Sequence, residues 1–173
     1  MDNELIIHIE WDGPFKLDQL SELNNIDIDF GIYQIYGSHP IYGADVLLYI
    51  GKADRQTFCQ RIAQEEWIYN CDSKSVKVYI GRLAGSKTPG ANRWSLEIEL
   101  AEKLLIYAHS PARNTQNLNS VPDTAARKVH ILNWGNYRNL LPEVSGARYT
   151  SKYDNIQNYE MGVHIKNLKN LSK

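Results

Sequence analysis

Two tripeptides that pair a phenol with a glycine, Gly31-Ile32-Tyr33 and Tyr49-Ile50-Gly51, are separated by fifteen residues. Downstream lie an arginine, Arg61, in Phe58-Cys59-Gln60-Arg61-Ile62, and a glutamate, Glu102, in Ala101-Glu102-Lys103-Leu104. On a helix of 3.6-residue period Glu102 falls between Ile98 and Ile106 and beside Leu105, within the apolar arc. A carboxylate there needs a partner, because burying an unpaired charge is costly or shifts its pKa. A divalent cation would be such a partner. Glu97 also falls among apolar positions (Ala101, Leu104, Ala108), so burial alone leaves two glutamates as alternatives. A single tripeptide is weak, since Tyr79-Ile80-Gly81 occurs as well and reads as an ordinary strand pattern.

The elements that must position these residues follow from period and punctuation. Leu5–Trp11 reads as a strand, Asp12-Gly13-Pro14 as a turn, and Leu17–Leu23 as a short amphipathic helix. Phe30–Tyr36 and Val46–Ile50 are β-branched and aromatic runs on either side of a loop of turn formers, which predicts neighbouring antiparallel strands. A helix is predicted over Gln56–Ile68, a third strand over Val76–Leu83, and a loop over Ala84–Gly90. From Arg93 to His109 there is no Gly or Pro, and Ser110-Pro111 stops what reads as the strongest helix. One further strand is predicted at Val129–Leu132.

The two tripeptides on adjacent strands, an arginine on the next helix, a glutamate on the next long helix, and then Pro111 and Asn114, resemble the GIY-YIG nuclease family over about residues 30–115. The resemblance implies an α+β fold with a small, mainly antiparallel three-stranded central sheet flanked by helices. Residues 1–29 and 116–173 would be extensions of a single domain. It also implies a metal-dependent endonuclease hydrolysing phosphodiester bonds, most readily in DNA, with RNA as the other polymer. The spacing to Pro111 and Asn114 favours Glu102 as the ligand of Mg²⁺ or Mn²⁺. Arg61 would bind the scissile phosphate, Tyr33 would act as general base toward water, and Tyr49 would position water or phosphate. A tyrosine of ordinary pKa, about 10, needs nearby positive charge for that role, and Arg61 and Lys52 could provide it. Gly31 and Gly51 would admit close backbone approach, and Asn114 would brace the site.

One departure stands out. Many family members carry His or Tyr four residues after the helix arginine, where this chain has Glu65, and an Arg61–Glu65 pair could neutralise the arginine. A non-catalytic nucleic-acid-binding module with the same fold is therefore the rival reading. Self-contained members of this size include restriction enzymes, and cutting both strands with one site would need a homodimer or two successive nicks.

The whole-chain composition, 19 Lys+Arg against 20 Asp+Glu in 173 residues, taken alone argues against a polyanionic partner. The distribution argues otherwise: residues 1–50 carry −8, residues 51–111 carry +2, and residues 112–173 carry +5. Arg127, Lys128, Arg138, Arg148 and Lys152, interleaved with Trp134, Tyr137, Tyr149 and Tyr153, and Arg113 ahead of them, are candidates for gripping phosphates while aromatic faces stack on bases. The alternative is that the aromatics cap the core and the bases are solvated. The five histidines show neither HxH nor HExxH spacing, which disfavours zinc. Cys59 and Cys71 read as free thiols, and the absence of a basic leader or an 18-residue apolar run predicts a cytoplasmic protein with no membrane partner.

Overall fold

The computed structural model describes residues 4–65, 67–68, 74–84, 92–119 and 124–149. Leu5–Phe15 forms strand β1, in which Ile7, Ile9 and Trp11 point into the core while Ile6, His8 and Glu10 are exposed, the period of two expected of a half-covered strand. A 3-10 helix over Leu17–Glu22 follows and buries Leu20. Strands β2 (Gly31–His39) and β3 (Gly43–Ala53) form an antiparallel hairpin, and α1 (Phe58–Ile62) starts at Thr57 in a capping box with Gln60. Then come β4 (Lys77–Leu83), α2 (Asn92–His109), a 3-10 helix at Thr124–Lys128, β5 (Val129–Gly135), β6 (Glu143–Ser145) and a last 3-10 helix at Gly146–Tyr149.

These strands make one six-stranded mixed sheet, in the order β3-β2-β4-β1-β5-β6, curled into a half-barrel. The predicted three-stranded central sheet is thereby overturned. Its physical error lies at β4, which would have kept a free edge if the sheet had ended there. That edge is taken by β1, with Ile9 opposite Leu83 and Trp11 opposite Gly81. Parallel to β1 on its other side runs β5, with Ile7 opposite Ile131, and the Trp11 indole N–H donates to buried Asn133 Oδ1 at 2.8 Å across the pair. The segment before residue 30 is thus a central part of the sheet.

Both faces of β2 are covered, so its first seven residues are all buried. On one face Ile32, Ile50, Ile9 and Trp11 pack with Trp94, Ile98, Leu104 and Leu105 of α2. On the other, Tyr33, Ile35, Val78 and Ile80 pack with Leu20, Leu23, Phe58, Ile62 and Ile68. The predicted turn at Asp12-Gly13-Pro14 lies inside β1 as a register irregularity between Asp12 and Phe15. The helix predicted over Gln56–Ile68 stops at Ile62. Among the described residues no helix is long and apolar enough to cross a membrane.

Candidate functional site

The hairpin places Tyr33 opposite Gly51, and the reason is steric: a Cβ on Gly51 would stand 2.4 Å from the Tyr33 hydroxyl. The phenol ring therefore lies over the glycine, 6.1 Å from the ring of Tyr49. Tyr33 is completely buried, and its hydroxyl donates to Glu65 Oε1 at 2.9 Å. Burial first, and then the Glu65 charge, push its pKa far above the ordinary phenol value, against the opposing influence of Arg61. A phenolate at this position is strongly disfavoured, which removes the general-base role. Burial likewise pushes Tyr36 and Tyr49 up to about 12.

A pH dependence follows. Tyr33, Tyr36 and Tyr49 stay protonated in the folded protein above the pH, about 10, at which the unfolded chain ionises, so their contribution to stability is intact below that pH and declines above it. Each fully buried phenol should remove about 1.4 kcal/mol per pH unit. Urea unfolding between about pH 9 and 11.5 checks this. The Tyr33→Phe variant should show roughly two thirds of the alkaline slope of the parent, since Tyr36 and Tyr49 still contribute, and an unchanged slope would refute the assignment.

Arg61 Nη2 sits 2.8 Å from Glu65 Oε1, with Arg61 29% and Glu65 11% exposed at the side chain. Glu65 Oε2 accepts from the Trp67 indole N–H at 2.9 Å, so one carboxylate gathers a phenol, a guanidinium and an indole. Across the cleft, Lys52 Nζ lies 3.3 Å from Glu102 Oε2. Burial raises the Glu102 pKa, while Lys52 and, more weakly, Arg61 oppose that rise. The half-buried glutamate is thus partnered by a lysine in this structure. Among the described residues no group of three or more His, Cys, Asp or Glu side chains is gathered as a metal ion would need.

Lys52, Asp54, Arg55, Arg61, Gln64 and Glu102 line a cleft of about 520 Å³ at the end of β3 and the side of α1. None of Glu4, Asp12, Asp27 or Asp29 from the acidic front of the chain lines it. Asp29 is buried and held by Arg82 Nη2 at 2.6 Å. Glu102 also lines a second, more polar pocket of about 250 Å³ with Tyr49, Asn114, Thr115, Gln116 and Asn117.

Asn114 braces this region. Its side chain accepts from the Ile50 N–H at 3.0 Å and donates to the Ile50 carbonyl at 2.9 Å. The Ala112 and Arg113 N–H groups donate to the Leu47 and Leu48 carbonyls, so the segment after α2 covers the outer edge of β3. This sets the Arg113 guanidinium 4.9 Å above the Trp67 ring, which in turn meets Tyr49 edge-on at 5.8 Å.

No family model, no curated protein and no solved structure matches the chain. With the six-stranded half-barrel, this overturns the resemblance to GIY-YIG nucleases. The endonuclease reading falls with it, because among the described residues no metal-chelating cluster is found and the supposed base is buried, its hydroxyl donating to Glu65.

The structure thus brings together Tyr33, Tyr49, Lys52, Arg61, Glu102, Arg113 and Asn114, and leaves the other predicted bases elsewhere. Arg138 forks onto Asp45 and lies 4.1 Å over the Tyr36 ring. Arg127 and Lys128 sit on the 3-10 helix Thr124–Lys128 and Arg148 on Gly146–Tyr149, and none of them lines either pocket. Trp134 stacks on His8, Tyr137 and Tyr149 pack against the core, and Lys152 and Tyr153 lie outside the described residues. His39 and His109 serve the backbone, accepting from Ile41 and from Leu141. Arg55, Trp67 and Gln116 were missed by the sequence reading. Only composition marks them, an arginine and an indole flanking the predicted helix and an amide-rich run after Asn114.

Proposed function

We propose that the chain binds the phosphate backbone of nucleic acid, DNA foremost, through the cleft beside β3 and α1. One observation carries this reading: three cations, Lys52, Arg55 and Arg61, against two acids, Asp54 and Glu102, give one cleft a positive excess in a chain whose net charge is −1. Their present partners do not disqualify them. Lys52 and Arg61 are 30% and 29% exposed, so a phosphate can reach them from solvent and compete with Glu102 and Glu65 for their N–H donors. Arg55 is exposed. Guanidinium groups match phosphate oxygens in a bidentate fork.

Three phosphate contacts should give a slope of about −2 to −3 in log affinity against log salt, a loss of roughly fortyfold between about 50 and 200 mM on a duplex. Fluorescence anisotropy of a labelled DNA oligonucleotide measures it. Lys52→Ala, Arg55→Ala and Arg61→Ala should each reduce the slope by about one and weaken binding severalfold. Undetectable binding at about 50 mM salt, or a slope unchanged in all three variants, would sink the proposal.

A further inference from the structure

The smaller pocket lies beside the cationic cleft, and Glu102 lines both. Its chemistry differs from that of its neighbour. The cleft carries the cations Lys52, Arg55 and Arg61 beside the acids Asp54 and Glu102, whereas the lining described for the pocket holds no cation and offers the carboxamides of Gln116 and Asn117, the Thr115 hydroxyl and the Tyr49 ring, with Asn114 bonded to Ile50. Amide and hydroxyl groups beside an aromatic face are poor ligands for a phosphate compared with Arg and Lys, and good ones for a heterocycle edge. The volume, about 250 Å³, is room for one heterocycle, and a base turned edge-first into such a pocket has left its stack.

We infer that this pocket is a subsite for one unpaired nucleobase, so that the nucleic acid held at the cleft is single-stranded, or opened, at that nucleotide. The inference rests on the backbone-binding reading above. Because Glu102 borders both spaces, a phosphate on Lys52 and Arg61 and a base against Tyr49 fall within the reach of one nucleotide. This also gives the acid a purpose in a cationic cleft. A carboxylate repels phosphate but accepts from the N–H groups of a base edge or from a sugar hydroxyl.

The platform is held rigidly. Tyr49 meets Trp67, Trp67 is tied to Glu65 and covered by the Arg113 guanidinium, and Asn114 pins the start of the amide-rich segment to Ile50. Asn117 takes a left-handed conformation, φ +61°, which asparagine tolerates better than most residues. Gln116 and Thr115, both exposed on this segment, can meet a base edge from the solvent side.

The test compares three labelled probes on the intact chain at one salt concentration: a DNA single strand of about twelve nucleotides, its duplex, and the same strand with abasic sites in place of the bases. The single strand is expected to bind about tenfold tighter than the duplex, and the abasic strand to lose about tenfold, the effect of one stacked base. Gln116→Ala and Tyr49→Leu should each narrow the preference for the single strand over the abasic probe. If the abasic strand binds as tightly as the intact one while Lys52→Ala and Arg61→Ala still weaken both, the base subsite is refuted and the backbone reading survives. If no probe binds at low salt, both are refuted.

Discussion

Gly31→Ala should cost about 4 kcal/mol of stability, much of what holds a domain of this size together. Gly31 takes φ +140°, outside the range open to L side chains, and an added Cβ would stand 2.1 Å from the Gly81 carbonyl oxygen, a backbone atom that cannot swing away. Strained backbone of this kind costs about 1–3 kcal/mol, and forcing β2 off β4 adds a comparable amount. The control is Gly43→Ala in the hairpin. Gly43 also has positive φ, +90°, but nothing stands within 4 Å of its would-be Cβ, so only the conformational part is lost, about 1–2 kcal/mol. Urea midpoints of the two variants should therefore differ by about 2–3 kcal/mol in stability. Equal losses would mean that the contact with β4 carries no weight. A large difference would show that the glycines of the two tripeptides answer to packing: Gly31 admits the Gly81 carbonyl and Gly51 admits the Tyr33 ring.

That distinction explains how the sequence could be read correctly in its elements and wrongly in its kinship. The β2–β3 hairpin, β4 and α2 were legible because their apolar periods are strong and their ends carry Gly or Ser-Pro punctuation. The need of Glu102 for a partner was legible from its place on the apolar arc, but the nature of the partner was not. Lys52 is fifty positions away, and only the pairing of β3 with α2 brings its ammonium to 3.3 Å. The sheet order was hidden for the same reason, since no local signal says that β1 pairs with β4 and β5. At three residues, β6 was too short to show a period. Charge along the chain was informative only when followed to its contacts. Asp29 and Asp45, both from the acidic front, are held by Arg82, Lys77 and Arg138 at sites other than the cleft.

Glu65 carries the second large effect, and its two substitutions should separate stability from binding. Glu65→Ala leaves the Tyr33 hydroxyl, in a fully buried position, without its acceptor and frees the Arg61 guanidinium and the Trp67 indole at once. Removing one member of a buried charge pair typically costs about 3–5 kcal/mol, and the partial exposure of Arg61 places this case near the lower end, about 3 kcal/mol. Glu65→Gln keeps an acceptor for Tyr33 and Arg61 on its carbonyl but turns an amide N–H toward the Trp67 N–H, so the expected loss is about 1–2 kcal/mol. Binding should move the other way. Glu65 now acts as an internal anion on Arg61, and a ligand phosphate must compete with it. The neutral glutamine should therefore raise affinity for a DNA single strand about tenfold at low salt, with the gain fading as salt is added because its origin is charge. Thermal melts and salt-dependent anisotropy on the same two preparations read both effects. A glutamine variant that is less stable yet binds no more tightly would show that Arg61 does not meet the phosphate, and would move the weight of the cleft onto Lys52 and Arg55.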